Sequence, residues 1–151
     1  MTSKEQILSA LQALCVKREY CVSDIYRKAL ERCGGDDALA GELVEALEAD
    51  KFVSDLRYAS AFAREKSAIS GWGSVKIRYA LRRKGISESD IAAGLAEIDL
   101  PASSKRLASL LAAKWKSLAE DPQGRLKLIR FALSRGYEYS EIEAAINDLT
   151  R

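Results

Sequence analysis

Gly34, Gly85 and Gly136 stand 51 residues apart, and the apolar residues around them keep that interval. Before each glycine the offset aligns Tyr26, Ile77 and Leu128; Ala29, Ala80 and Phe131; Leu30, Leu81 and Ala132. After it come Ala40, Ile91 and Ile142; Val44, Leu95 and Ile146; Leu47, Ile98 and Leu149. Upstream, Ser23 matches Ser74. Self-similarity at a period of this size means one supersecondary unit stacked on copies of itself. We read three units, about 1–52, 53–100 and 101–151.

The unit is helical. Its aligned positions run i, i+3, i+4 before the glycine and i, i+4, i+7 after it, the apolar stripe of an amphipathic helix. The glycine falls between the stripes, where a helix C-terminus takes a residue that tolerates positive φ. A further helix precedes each pair. Ile7, Leu8, Leu11, Leu14 and Cys15 mark it in unit one, Tyr58, Ala59, Phe62 and Ala63 in unit two, and Leu107, Leu110, Leu111 and Trp115 in unit three. Capping-box spacing occurs at Thr2 with Glu5 and at Ser140 with Glu143. Pro101 falls at the junction of units two and three, and Asp121-Pro122 reads as an N-cap followed by proline in the first turn. No segment alternates with period two. The expected fold is all-α: three tandem three-helix units forming an elongated, curved solenoid.

Composition narrows the chemistry. There is no histidine among the 151 residues, so Ser-His-Asp triads, Cys-His dyads and histidine-containing zinc sites are excluded. No GxxxxGK[ST] or GxGxxG motif occurs; Gly71-Trp72-Gly73 is the nearest glycine-rich loop. We expect no enzyme, no cofactor and no metal. Cys15, Cys21 and Cys33 form no CxxC pair and are read as buried thiols in a reducing cytosol. Asp36-Asp37 and Glu138 with Glu141 are read as first-turn helix charges. Trp115 is assigned to the core, and Trp72 is either folded over the core or a partner anchor. The N-terminus turns charged at once and no stretch reaches about 20 apolar residues, so neither a signal peptide nor a membrane span is expected. Nothing demands an oligomer, and a cytoplasmic monomer is the expectation.

The net charge of +2 conceals a segregation. Residues 57–85 sum to +7, 86–101 to −4, 102–135 to +6 and the last sixteen to −3. In units two and three the first two helices are therefore basic and the third acidic. Either the acidic helix neutralises the basic one locally, or a basic stripe along the solenoid faces a polyanion or an acidic protein surface. On charge alone, Arg57, Arg64, Lys76, Arg82, Arg83, Arg130 and Arg135 are the candidate contact residues.

Several of these residues lie in recognisable strings. Phe52-Val53-Ser54-Asp55-Leu56-Arg57-Tyr58-Ala59 with Phe62, then Gly73, Lys76-Ile77-Arg78 and Leu81-Arg82-Arg83-Lys84-Gly85-Ile86 resemble the central repeat of RecX regulatory proteins. That pattern has an Asp, a Tyr/Phe-Ala, a Gly, an Ile-Arg pair and Leu-x-x-Lys-Gly-Ile. Lys127-Leu128-Ile129-Arg130-Phe131 with Arg135-Gly136-Tyr137 resembles the family's second signature. Leu14-Cys15 and Tyr20-Cys21-Val22-Ser23-Asp24-Ile25 resemble its N-terminal repeat more loosely, and Gly34-Gly35 departs from the glycine-then-apolar turn. The resemblance implies tandem three-helix repeats and a modulator of the RecA recombinase. Such a modulator binds the RecA–single-stranded-DNA filament and suppresses ATP hydrolysis and strand exchange without chemistry of its own. A different class is also open: a small helical DNA-binding protein contacting phosphates directly through basic helices. Its steep salt dependence would set it apart, and the near-zero net charge argues against it. Weak DNA contact is compatible with both.

Overall fold

The computed structural model describes residues 3–150, and among them the secondary structure is nine helices and no strand. They are α1 (Lys4–Lys17), α2 (Val22–Arg32), α3 (Asp37–Ala49), α4 (Asp55–Ala68), α5 (Ser74–Arg83), α6 (Glu88–Leu95), α7 (Leu100–Trp115), α8 (Gly124–Ser134) and α9 (Tyr139–Leu149). Each successive triplet encloses its own hydrophobic cluster. The first is built on Leu11, Ile25, Leu43 and Leu47, the second on Ala59, Ile77, Leu81 and Ile91, the third on Leu111, Leu128, Ile142 and Ile146. None of the eighteen residues in the 51-residue columns is exposed. Three small cores leave more surface than one large one. The chain exposes 9135 Å², against about 7,600 Å² for a compact protein of 16.6 kDa.

The turn after each second helix follows one scheme. Gly34, Gly85 and Gly136 have φ of 64°, 77° and 91°. The next residue's N–H reaches back to a carbonyl of the last turn: Gly35 to Leu30, Ile86 to Leu81 and Tyr137 to Ala132. This is a Schellman closure, and its left-handed residue is why glycine recurs there. The third helices then start in register, at N-caps Asp36, Ser87 and Glu138.

Three local expectations need correction, and one falls outside the described residues. The C-terminal helix is not capped by Ser140 with Glu143; Glu138 is its N-cap, its N–H donating to Glu141 at 2.8 Å. At α1, Thr2 lies outside the described residues, and the cap seen is Ser3, paired reciprocally with Gln6. Asp121-Pro122 precedes α8 rather than opening it, because the Asp121 carboxylate accepts from Gln123 N–H and closes a turn first. In α2 the fully buried residues are Ile25 and Ala29, one position ahead of the Tyr26 and Leu30 columns. In α5 and α8 the buried residues, Ile77 with Leu81 and Leu128 with Ala132, keep to the columns. Gly35, also left-handed at φ 88°, lies in the turn after α2.

The first and third helices of the central triplet cross closely. A Cβ on Gly94 of α6 would lie 2.8 Å from the Ala59 carbonyl of α4. Trp115 is half-buried against the third cluster, and Cys21 is fully buried while Cys15 and Cys33 are half-buried, all three thiols being free.

Candidate functional site

The triplets are joined through their second helices, end to end. At the joint between the second and third, Gly73 N–H and Val75 N–H at the start of α5 donate to the carbonyls of Arg135 and Gly136 at the end of α8, at 2.8 and 2.9 Å. The free amides of one helix thus meet the free carbonyls of another, so both ends are satisfied and the dipoles align. Both glycines are needed for this approach. A Cβ on Gly73 would come to 2.5 Å of Tyr137 N, and one on Gly136 to 2.7 Å of Lys76 N. Tyr137 Oη donates to Gly71 O at 3.0 Å, and Arg106 of α7 donates to Ser67 O of α4 at 2.6 Å.

The corresponding joint between the first and second triplets is made by side chains. Ser23 Oγ donates to Lys84 O at 2.7 Å, and Val22 N–H donates to the Asp55 carboxylate at 2.8 Å. Lys84 Nζ lies 2.9 and 3.1 Å from the two Asp24 oxygens, and Arg57 pairs with Glu19. α8, α5 and α2 therefore run head to tail along the molecule.

The ionisation of this joint is set by its packing. Burial pushes Asp24 up, but the Lys84 ammonium and the Cys21 thiol outweigh it and hold the carboxyl below its ordinary value. Burial raises Asp55 despite the Val22 N–H. The stabilisation from Asp24 is therefore complete above the unfolded-state value and disappears as pH falls through the lower folded one. Asp24→Asn is expected to cost about 1–2 kcal/mol at pH 7. Thermal melts from pH 7 to pH 2 should show the gap to the parent closing only below about pH 4. A gap unchanged at pH 2 would remove the pair from the joint.

The seven charge-selected residues divide. Arg57 is spent on Glu19 and on the carbonyls of Lys51 and Phe52, Arg82 pairs with Glu88 at 2.6 Å, and Arg64 approaches Glu97 at 3.7 Å. Local neutralisation thus accounts for three of them, one against α6 and one against the turn that follows it. The other four have no ion pair among the described residues. Lys76 lies over Trp72 at 4.4 Å, Arg83 over Tyr79 at 5.9 Å and Arg135 over Phe131 at 5.2 Å, while Arg130 is exposed between exposed Leu126 and Leu133. All four sit on α5, α8 or the turn closing it.

Two features escaped the sequence reading. One is the joint itself, of which the Ser23–Ser74 match was the trace. The other is a row of rings. Tyr58 and Phe62, one helical turn apart on α4, stack at 5.8 Å, and Trp72 meets Phe62 edge-on at 6.1 Å. Among the described residues no group of three or more Cys, Asp or Glu is placed to hold a metal ion, and no helix is long and apolar enough to cross a membrane.

The pattern for the second three-helix domain of RecX matches residues 54–95, and that for the third matches 104–146. The regulatory protein RecX of Chromohalobacter salexigens is 29% identical over 133 residues, covering 88% of this chain and 86% of its own. That of Clostridium botulinum strain Eklund 17B is 29% identical over 154, covering 98% and 72%. For Clostridium tetani RecX, also 29% identical, the match covers 83% of this chain and only 58% of the relative. The crystal structure of RecX from Lactobacillus salivarius superimposes with a TM-score of 0.86 at 17% identity, covering 97% of this chain and 96% of that one.

Proposed function

Because this chain belongs to the RecX family of regulatory proteins, we propose that it binds the RecA–single-stranded-DNA filament and inhibits its ATPase and strand exchange, with no chemistry of its own. The observation that carries the reading is the head-to-tail line of α8 and α5, with four basic residues that have no ion pair among the described residues. A filament repeats one protein surface along a groove that also holds a nucleic-acid backbone. An elongated protein of repeated triplets can bridge neighbouring protomers through several weak contacts, each raising the effective concentration of the next. Holding protomers in one arrangement opposes the movement that ATP turnover and strand exchange require. Lys76, Arg83, Arg130 and Arg135 face the acidic or phosphate-bearing side of the groove. Arg57, Arg64 and Arg82 would first have to exchange an internal partner.

The test is RecA ATPase on single-stranded DNA, titrated with this protein at two salt concentrations while its binding to naked DNA is followed in parallel. Inhibition well below stoichiometry with RecA, where naked DNA is hardly bound, is the expected result. Inhibition only on saturation of the DNA, with a steep salt slope, would replace filament binding by competition for phosphates.

A further inference from the structure

Beside the ring row lies a cavity of about 450 Å³, lined by Arg18, Glu19, Tyr58, Ala61, Phe62, Glu65 and Lys66. One wall is the stacked Tyr58–Phe62 pair. Its lining carries hydrogen-bonding groups of both kinds, the Glu65 carboxylate as acceptor and, as donor, the Arg18 guanidinium, which lies 4.1 Å over the Tyr20 ring. Just outside, Trp72 continues the row, with Lys66 Nζ 4.9 Å and Lys76 Nζ 4.4 Å from its ring centre. The rings are half-buried, so each keeps an accessible part.

We propose that this cavity and the ring beside it take two consecutive unstacked bases of a single-stranded nucleic acid. One base stacks against Tyr58 and Phe62 with its edge toward Arg18 and Glu65. The next lies against Trp72, and Lys66 and Lys76 leave the rings for the phosphate between the two bases and the one that flanks them. A planar heterocycle with donors and acceptors along its edge matches an aromatic wall rimmed by both a guanidinium and a carboxylate. A purely phosphate-reading groove would have no use for the rings, and the acidic rim would oppose it. Aromatic platforms with adjacent cations hold single strands through the faces of the bases, largely independent of sequence. Of the two carboxylates, Glu19 is engaged by Arg57. Burial, with Cys21 and Asp24 nearby, pushes the Tyr58 hydroxyl up to about 12.

The site shares Lys76 with the filament reading and is tested without recombinase, so that the two can fail separately. The unaltered protein is titrated into a fluorescein-labelled oligothymidine of about ten nucleotides, and into an abasic strand of the same length and charge, with anisotropy as the readout. Affinity for the abasic strand should be at least tenfold weaker. Phe62→Leu, which keeps apolar bulk in the helix packing, should weaken the thymidine strand toward the abasic one and leave the abasic affinity unchanged. Quenching of Trp72 in a Trp115→Phe protein should accompany binding of the thymidine strand alone. Equal affinity for both strands, equal weakening of both by Phe62→Leu, or no binding of either overturns the proposal. So does thymidine monophosphate competing as well as the strand at equal nucleotide concentration, which would reassign the cavity to free nucleotides.

Discussion

Gly73→Ala protein is expected to unfold about 10 °C below the parent, and Gly85→Ala protein only about 3 °C below it. The two substitutions add the same methyl group for opposite reasons. Gly73 has φ −82° and ψ 169°, which alanine adopts without strain, but its Cβ would run into the backbone of Gly136 and Tyr137 across the joint. Backbone cannot rotate aside as a side chain can. The third triplet must retreat, stretching the Gly73–Arg135, Val75–Gly136 and Tyr137–Gly71 hydrogen bonds. At about 1 kcal/mol per bond plus a similar overpacking penalty, the loss is about 4 kcal/mol. Gly85 is the reverse case: φ is +77° and a Cβ there would meet nothing within 4 Å. Only the left-handed strain remains, about 1 kcal/mol. Melting followed by circular dichroism decides. If Gly85→Ala melts at or below Gly73→Ala, the glycine contact is not what joins the second and third triplets.

The Arg83→Glu, Arg130→Glu double variant is expected to need at least 100-fold more protein for half-inhibition of RecA ATPase, with its helicity unchanged. Neither residue has an ion pair among the described residues, and both are exposed, so reversal breaks no carboxylate contact within the fold. Each reversal replaces an attraction to an acidic or phosphate surface with a repulsion, and like-charge juxtaposition at an interface is costly. Arg82→Glu is the comparison. Its guanidinium is already committed to Glu88, so its charge is largely neutralised before any partner arrives, and the loss should be several-fold smaller. Full inhibition by the double variant at parental concentration would remove the basic line of α5 and α8 from the interface. An Arg82→Glu effect as large as the double variant's would show that exposed charge in general, and not the unpaired residues, governs binding.

What was legible in the sequence was whatever depends on side-chain periodicity. The apolar columns before and after each glycine mark the buried faces of α5, α8 and all the third helices, because a residue either fits a core or does not. The positive φ at Gly34, Gly85 and Gly136 follows from the same spacing. Capping was less legible, since serine, aspartate and glutamate recur close together and the choice among Glu138, Ser140 and their partners is settled by where the preceding turn delivers the chain. Charge was legible only in sum. The strings that made α4 and α5 basic did not reveal that Arg57 reaches back to Glu19, that Arg82 meets Glu88 or that Arg64 approaches Glu97, because those pairs join separate segments of the fold. Tyr58 and Phe62 looked like one more apolar stripe until Trp72 and two lysines were seen around them.

The end-to-end joining of second helices also gives each helix start a partner, and α8 finds its own within the third triplet. At each of the two joints the second helix of one triplet offers its glycine turn and the second helix of its neighbour receives it. A receiving end left open would invite a further turn of the same kind. In the third triplet that end is already filled from within: Leu118 O packs so tightly on Gly124 that no Cβ could stand there, and Gly124 N–H donates to Asp121 O at 2.8 Å. The loop between α7 and α8 thus occupies the end of α8 that, in α5 and α2, meets the turn of the neighbouring triplet.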